Sequence, residues 1–346
     1  MYKEKALKKN LISVVMSNYN TPINYLKESI DSVLNQSYSD FEFIIIDDGS
    51  TDDSLEFIKS YDDPRIKLVI NKENIGLTKS LNKGFDLAQG EYIARMDADD
   101  ICYPTRFEKQ VKYMQGHPST IVCGAWAKIL DEDNTLSIAE WACSRIDDME
   151  EYRINLLFNC YPPFFHSSAF FNHGLLIKYD IKYNEKYRYA QDYELWTRCS
   201  QYAKSFIIQE FLLEYRFHSA SISKAKRDAQ RNCVFQIVQD QLDHLHLKLP
   251  DEVKDAHVIF PTRHAQYNAM FKKWIKKMIR ANRMYKIYNQ RKMKHLLWYY
   301  WSKVCYAELS HSNVTRRLRL IISLSPRCII NLFKIKKYYI VKRKHK

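Results

Sequence analysis

The first hundred residues alternate between short apolar runs and amphipathic stretches with the period of a helix. The runs at 11–16, 41–47, 65–70 and 91–96 are rich in β-branched residues or alternate with period two, as strands do. The stretches between them place apolar residues three and four positions apart, which predicts helices. Because this alternation is typical of parallel strands joined by helical crossovers, we predict an α/β fold.

Polar residues follow each predicted strand directly. They are Ser-Asn-Tyr-Asn at 17–20, Asp-Asp-Gly-Ser at 47–50, the segment 71–74, and Asp-Ala-Asp-Asp at 97–100. Parallel sheets bind ligands outside the carboxyl ends of their strands. We therefore expect the functional site to be built from these four segments.

The turn after the first strand excludes two common nucleotide sites. It reads MSNYNTP and contains no glycine. A dinucleotide-binding Rossmann turn needs Gly-x-Gly-x-x-Gly, and a P-loop needs glycines followed by Gly-Lys-Ser/Thr. Neither site is expected here.

The pattern of predicted strands and helices changes twice after residue 120. Residues 121–141 read as a hairpin around the turn LDEDN, 162–171 and 205–218 read as further strands, and 191–203 reads as a helix. This predicts a mixed sheet in the second half of a first domain, residues 1–222. Residues 223–346 read as a helical, basic C-terminal region that associates with a membrane or an acceptor.

The three aspartates Asp97, Asp99 and Asp100 lie within four residues of one another. Two carboxylates about 4 Å apart repel by roughly 4 kcal/mol at an effective dielectric constant near 20. A divalent cation such as Mg²⁺ or Mn²⁺, which prefers oxygen ligands, would neutralise them. The alternative is capping of the helix predicted near Pro104, and for Asp100 we expect no more than that.

The segments after the first two strands suggest a nucleotide. A base needs a hydrogen-bond partner and a ring on which to stack. Asp48 could supply the first and Tyr19 the second.

Four motifs together resemble a known family. ISVVMSNYN, FEFIIIDDGSTDDS, NKENIGLTKSLNKG and GEYIARMDADDICYPTRFEKQ occur in the order and spacing of the family 2 inverting glycosyltransferases, which have the GT-A fold. The resemblance covers roughly residues 9–220. It implies a Rossmann-like parallel and mixed sheet flanked by helices, here with a basic helical extension.

The resemblance also implies roles for particular residues. Asp97-Ala98-Asp99 resembles the DxD motif, with Asp99 as metal ligand and Asp97 shared between the metal and the ribose. Asp48 and Tyr19 resemble the residues that read and stack on the base, and Ser17 lines the same pocket. Asp192 matches the catalytic base, although Gln191 replaces the usual Glu before it. His218, after the last predicted strand, matches a third metal ligand or a phosphate contact.

The implied reaction moves a sugar from a nucleoside diphosphate, commonly UDP, to a hydroxyl of a glycan or lipid-linked acceptor. Inversion at the anomeric carbon gives a β-linkage, and O-antigen or capsule-like polysaccharide biosynthesis is the implied setting. The alternative is a metal-dependent nucleotidyltransferase acting on a sugar phosphate, although such enzymes usually carry a glycine-rich, basic loop after the first strand. A phosphatase of the haloacid-dehalogenase type would need its aspartates after a different strand.

The net charge of +14 is concentrated towards the C-terminus. Residues 315–346 contain eleven Lys or Arg and no Asp or Glu. With apolar residues interleaved, this pattern suggests an anionic membrane surface as a partner rather than a specific nucleic acid. Eight cysteines without a Cys-x-x-Cys pair, and no signal-peptide or membrane-spanning run, predict a cytoplasmic protein, peripheral on the inner face of the cell membrane.

Overall fold

The structure is a computed structural model that describes residues 6–139, 145–158, 164–218, 227–258 and 268–311. Backbone contacts divide the chain into two compact units. The first comprises residues 1–149 and 161–233, and the second comprises 150–160 and 234–346. The predicted domain boundary at residue 222 stays a prediction. The packing adds that residues 150–160 belong with the C-terminal helices.

The first unit is built on one mixed sheet. Nine strands pair in the described part of the chain, in the order β3-β2-β1-β4-β8-β6-β9-β5, with β7 beside β6. The pairs among β1 to β4 are parallel, β6 and β9 are also parallel, and β5, β7 and β8 run antiparallel to their neighbours. The strands are β1 Lys8–Asn18, β2 Phe41–Asp47, β3 Ile66–Ile70, β4 Gly90–Asp97, β5 Ile101–Cys102, β6 Thr120–Leu130, β7 Leu136–Ser137, β8 Phe170–Asn172 and β9 Lys204–Arg216.

Helices flank the sheet and make up the second unit. Each helix of the first unit turns an apolar stripe inward, as Leu26, Ile30 and Val33 do in the first of them. The helices are α1 Ile23–Leu34, α2 Ser54–Lys59, α3 Leu77–Leu87, α4 Arg106–Gly116, α5 Met149–Leu156, α6 His173–Lys178, α7 Gln191–Tyr202, α8 Arg227–Asp243, α9 Asp251–Val258, α10 Asn268–Tyr285 and α11 Gln290–His311.

The α/β architecture with a mixed sheet and C-terminal helices confirms the predicted fold class. β2 spans the residues expected of it, and every one of its seven side chains is buried, as in a central parallel strand. The strand predicted at 162–171 is largely wrong. Residues 166–168 form a 3-10 turn, and only Phe170–Asn172 pair with the sheet. The hydroxyl of Ser168 donates to the Phe165 carbonyl and favours that turn.

The second unit has an aromatic core. His257 is buried there, and its two ring nitrogens bond the Leu157 carbonyl at 2.8 Å and the Trp274 indole N–H at 3.0 Å. The opposite face of α10 exposes Lys273, Lys277 and Arg280. In the part of the chain that the structure describes, no helix has the length and apolarity needed to cross a bilayer.

Candidate active site

Three parallel strands bring their carboxyl ends to one edge of the sheet. Register pairs Asn18 of β1 with Asp47 of β2, and Ser17 of β1 with Asp97 of β4. The Asn18 amide donates to Asp47 Oδ1 at 2.9 Å and also reaches the hydroxyls of Ser50 and Ser54. This buried network fixes the relative positions of the segments that follow β1 and β2.

Asp48 is only 2% exposed, and its carboxylate holds the loop that follows β3. Its oxygens accept hydrogen bonds of 2.9 Å from the Asn71 side chain and from the backbone N–H groups of Ile75 and Gly76. Recognition of a base by Asp48 stays a prediction. The structure adds a positioning task, because this carboxylate accepts three hydrogen bonds from the loop 71–76.

Tyr19 and Ser17 lie at the open end of β1. Tyr19 follows the last residue of the strand and is 48% exposed, so its ring is available for stacking. Ser17 is partly exposed, between the ends of β2 and β4. Both residues therefore border the edge formed by Asp48 and Asp97.

Asp97 ends β4 and is held by Arg95, two residues earlier in the same strand, and by Ser167. Its Oδ2 forms an ion pair with the buried guanidinium of Arg95 and accepts a hydrogen bond of 2.6 Å from Ser167. Burial raises the pKa of Asp97, but the charge and hydrogen bond of Arg95 outweigh it and the net pKa is lowered. The side chain is still 28% exposed, so the carboxylate is ionised and reachable.

Asp99 is held from the far end of β9. His218 Nε2 lies 2.9 Å from Asp99 Oδ2, and Arg216 Nε donates to the Asp99 carbonyl at 2.9 Å. The Arg216 side chain is buried, pairs with Glu28 and packs over the Tyr25 ring at 4.1 Å. Arg216 and His218, more than a hundred positions away in the chain, therefore hold the turn that follows β4 in place.

Asp100 does not begin the next helix, contrary to expectation. It is 1% exposed, accepts a 2.8 Å hydrogen bond from the Arg216 backbone N–H and bonds the Ser167 hydroxyl. The residue at the cap of α4 is Thr105. Burial, followed by the charges of Asp99 and Asp97, raises the pKa of Asp100 well above its usual range.

The three aspartates form the one group of this kind in the described residues that could hold a metal ion. One carboxylate oxygen from each of Asp97, Asp99 and Asp100 lies within 4.8 Å of the others. Hard oxygen donors at such separations suit Mg²⁺ or Mn²⁺. Three carboxylates this close, one of them buried, therefore make a donor set that fits a divalent cation.

Asp192 lies in the first turn of α7, and the residue at the cap is Ala190. Asp192 is therefore not the N-cap of this helix. Burial raises the pKa of Asp192, and the charges of Arg95 and Asp97 act on it in opposite directions. Asp192 thus belongs electrostatically to the same site as the acidic turn.

Gln191, before Asp192, is 8% exposed. Its Oε1 is buried and has no hydrogen-bond partner among the residues that the structure describes. A glutamate here would place a second buried charge beside Asp192, whereas the amide adds none.

Several residues of this site carry little signal in the sequence. Arg95 has one, since alternation along β4 puts it on the same face as Asp97. Ser167, Arg216 and His166 have none, because they reach the site only through strand pairing. His166 Nε2 bonds the Tyr183 hydroxyl at 2.5 Å, and burial together with the charge of Arg95 lowers the pKa of His166 well below its usual range despite Asp97.

A mixed sheet with an acidic turn at the carboxyl end of a central parallel strand is the architecture of GT-A glycosyltransferases. The profile of Glycosyl transferase family 2 matches residues 13–179. An uncharacterized glycosyltransferase of Methanocaldococcus jannaschii is 39% identical over 217 residues, which cover 60% of this chain and 71% of that protein. The amylovoran biosynthesis glycosyltransferase AmsE of Erwinia amylovora is 32% identical over 54% of this chain and 69% of its own length.

A solved structure shares the fold at low identity. The S. aureus TarS fragment 1–349, crystallised with UDP-GlcNAc, superposes with a TM-score of 0.56 at 17% identity, over 87% of this chain and 91% of the fragment. The chain therefore belongs to glycosyl transferase family 2. It is a glycosyltransferase enzyme with a GT-A fold.

Proposed function

We propose that this enzyme transfers a sugar from a nucleoside diphosphate, UDP in the first instance, to a hydroxyl of a glycan or lipid-linked acceptor. Transfer occurs with inversion and forms a β-linkage. The observation that carries the proposal is the group of Asp97, Asp99 and Asp100 at the carboxyl end of β4, with Asp192 of α7 near enough for the charges of Arg95 and Asp97 to act on it.

The donor is proposed to lie across the ends of β1, β2 and β4. Tyr19 stacks on the base, the loop held by Asp48 borders it, and Ser17 and Asp97 face the ribose. Adjacent strands are about 4.8 Å apart, so Asp48 and Asp97 are separated by two such spacings. The complex of TarS with UDP-GlcNAc supports a uridine nucleotide sugar as the first donor to test.

Asp99 and Asp97, with His218 as third ligand, are proposed to hold a divalent cation, Mn²⁺ or Mg²⁺. His218 already touches Asp99 and would exchange that hydrogen bond for coordination. Bound there, the cation would offset the charge that develops on the departing diphosphate. Arg95 and Ser167 orient Asp97 for this task, because they fix one of its two oxygens.

Asp192 is proposed as the general base. It takes the proton of the acceptor hydroxyl as the oxygen attacks the anomeric carbon, while the bond from that carbon to the diphosphate oxygen breaks. The raised pKa of Asp192 makes its carboxylate a better base than one in water. Attack from the face opposite the leaving group inverts the centre, so an α-linked donor gives a β-linked product.

Surface-polysaccharide biosynthesis, with a lipid-linked acceptor at the inner face of the membrane, is the proposed setting. The name of the amylovoran relative supports the polysaccharide. Residues 259–346 hold twenty-three of the 54 Lys and Arg but one of the 40 Asp and Glu, which supports an anionic surface. Each basic residue near such a surface contributes about 1 kcal/mol. The segment 315–346 lies outside the described residues, whereas α10 exposes Lys273, Lys277 and Arg280 on one face.

A panel of nucleotide sugars tests the reaction. Each is incubated with the full chain and Mn²⁺, and both thermal stabilisation and release of nucleoside diphosphate are measured. We expect one UDP-sugar to raise Tm in proportion to the logarithm of its concentration and to be hydrolysed slowly. A folded protein that responds to no nucleotide sugar would contradict the proposal.

Sedimentation with vesicles tests the membrane partner. Vesicles of phosphatidylcholine alone are compared with vesicles that also contain phosphatidylglycerol, at two salt concentrations. We expect the full chain to pellet with the anionic vesicles at low salt, and a variant with Lys273, Lys277 and Arg280 changed to Gln to pellet less. Equal recovery with both lipids would contradict membrane association.

A further inference from the structure

Two arginines lie on either side of Asp192 in the sequence, and the structure separates their roles. Arg198, in α7, already has hydrogen-bond partners. Its Nε and Nη2 donate to the Glu194 carboxylate at 2.6 and 2.7 Å, and Nη2 also donates to the Lys182 carbonyl. Arg188 precedes the helix and is exposed. Its guanidinium makes no ion pair or hydrogen bond with any residue that the structure describes, and its one ring contact is with the adjacent Tyr189.

The guanidinium of Arg188 lies against Gly76, in the loop that Asp48 holds. Nε, Nη2 and Cζ are 3.5, 3.6 and 3.7 Å from the position that a Cβ on Gly76 would occupy. Three nearly equal distances mean that the planar group lies flat over the glycine. Its N–H donors lie in that plane and therefore point sideways, away from Gly76.

This contact connects two sides of the proposed donor site. Gly76 donates its N–H to Asp48, and Arg188 is four residues before Asp192. The Arg188 side chain therefore reaches from the segment that leads to the general base across to the loop beside the nucleotide.

The negative charge of the proposed donor site gives the Arg188 guanidinium a role. Five aspartates lie at the edge, at positions 47, 48, 97, 99 and 100, Asp192 lies nearby, and a nucleoside diphosphate adds further negative charge. Arg95 and Arg216 are buried and already paired with carboxylates, and the Lys83 ammonium bonds the Asn71 side chain. Arg188 has no hydrogen-bond or ion-pair partner among the described residues, and a planar guanidinium, unlike a lysine ammonium, can bind a phosphate through two parallel hydrogen bonds.

We propose that Arg188 is a donor-binding residue that hydrogen-bonds the diphosphate of the nucleotide sugar. The inference rests on the proposed function and deepens it, because it assigns the protein's own counter-charge to the leaving group. The φ of +93° at Gly76 is one that glycine adopts readily, so the loop can keep the backbone turn over which the guanidinium lies.

Binding of uridine, UMP and UDP tests the proposal. Affinities are measured by calorimetry, with Mn²⁺ present, for the wild type, Arg188→Ala, Arg188→Lys and Lys186→Ala. The last removes an exposed cation two residues away in the same segment and serves as the matched control. We expect Arg188→Ala to weaken UDP binding about tenfold or more, Arg188→Lys to weaken it less, and uridine binding to stay unchanged.

The outcomes separate the two proposals. UDP affinity of Arg188→Ala within twofold of the wild type would overturn this inference and leave the proposed function standing. An equal loss for uridine and UDP would also overturn it, since Arg188 would then act on the base side. A wild type that binds none of the three would contradict the proposed function itself. Unchanged Tm of the free variants confirms that folding is intact.

Discussion

His218 Nε2 lies 2.9 Å from Oδ2 of Asp99, although 119 residues separate the two in the chain. The pairing of β9 with β5 and β6 brings them together, because it carries the chain back to the turn that follows β4. Arg216, two residues before His218, binds the backbone of the same turn. The end of β9 therefore positions the acidic turn and places an imidazole beside it.

We predict that His218→Gln weakens metal binding more than it slows the chemistry. The glutamine keeps a polar group near Asp99 but removes the ring nitrogen and its orientation. The Mn²⁺ concentration for half-maximal activity should rise about ten- to a hundredfold, with kcat at saturating Mn²⁺ reduced much less. A metal titration of sugar transfer or donor hydrolysis measures both. An unchanged half-maximal concentration would remove His218 from the metal site.

Removal of divalent metal should abolish activity. After treatment with EDTA, added Mn²⁺ or Mg²⁺ should restore the wild type, whereas Asp99→Asn should stay at least a hundredfold slower at the same metal concentration, because an amide oxygen is a weaker ligand for a hard cation. Asp62→Asn is the control, since Asp62 is an exposed carboxylate outside the site. Full activity in EDTA would contradict the metal.

Arg95→Met should destabilise the fold. Arg95 is 1% exposed, and its loss leaves the Asp97 charge uncompensated beside Asp100. Breaking one side of a buried ion pair costs about 3 kcal/mol or more in the free energy of unfolding. Urea denaturation at pH 7 measures it. Lys59→Met, which breaks the exposed pair with Glu56, is the control and should change stability little.

The pH dependence of the stability lost in Arg95→Met gives a second measurement of the Arg95–Asp97 ion pair. Arg95 lowers the pKa of Asp97 in the folded protein, so the stability it provides is present above about pH 4, the pKa of an unfolded aspartate, and is lost as pH falls through the lower folded pKa. The gap between wild type and Arg95→Met should therefore narrow at acidic pH. A gap that does not depend on pH would mean that Arg95 stabilises the fold by packing alone.

The strands and helices of the first hundred residues could be predicted from the sequence because each has a local signal. The apolar run 41–47 becomes β2, and beyond the first hundred residues the helix predicted at 191–203 becomes α7 for the same reason. The partners of the acidic turn could not be predicted in the same way. Ser167 and Arg216 reach Asp100 through the pairing of β8 and β9 with distant strands, and no local pattern encodes that register. The expectation that Asp100 begins a helix is wrong because its burial is likewise a property of the fold.

Asp192→Asn should lower kcat by at least a hundredfold, because the amide cannot accept the acceptor's proton, while donor affinity stays close to the wild type. Wild-type activity should fall on the acid side with a pKa above the ordinary aspartate value, since burial raises the pKa of Asp192. A pH profile of kcat/KM for the acceptor measures this fall in activity at acidic pH. The Asp192→Asn variant should not show the fall.

Stability provides an independent check on the same residue. A carboxyl whose pKa is raised by folding costs stability once pH rises through its folded pKa, and costs nothing below about pH 4, where both states are protonated. Asp192→Asn should therefore be more stable than the wild type at pH 7.5, and the difference should vanish near pH 4. Thermal unfolding at both values measures it. A variant that is less stable at pH 7.5 and also fully active would show that Asp192 serves the helix and not the reaction.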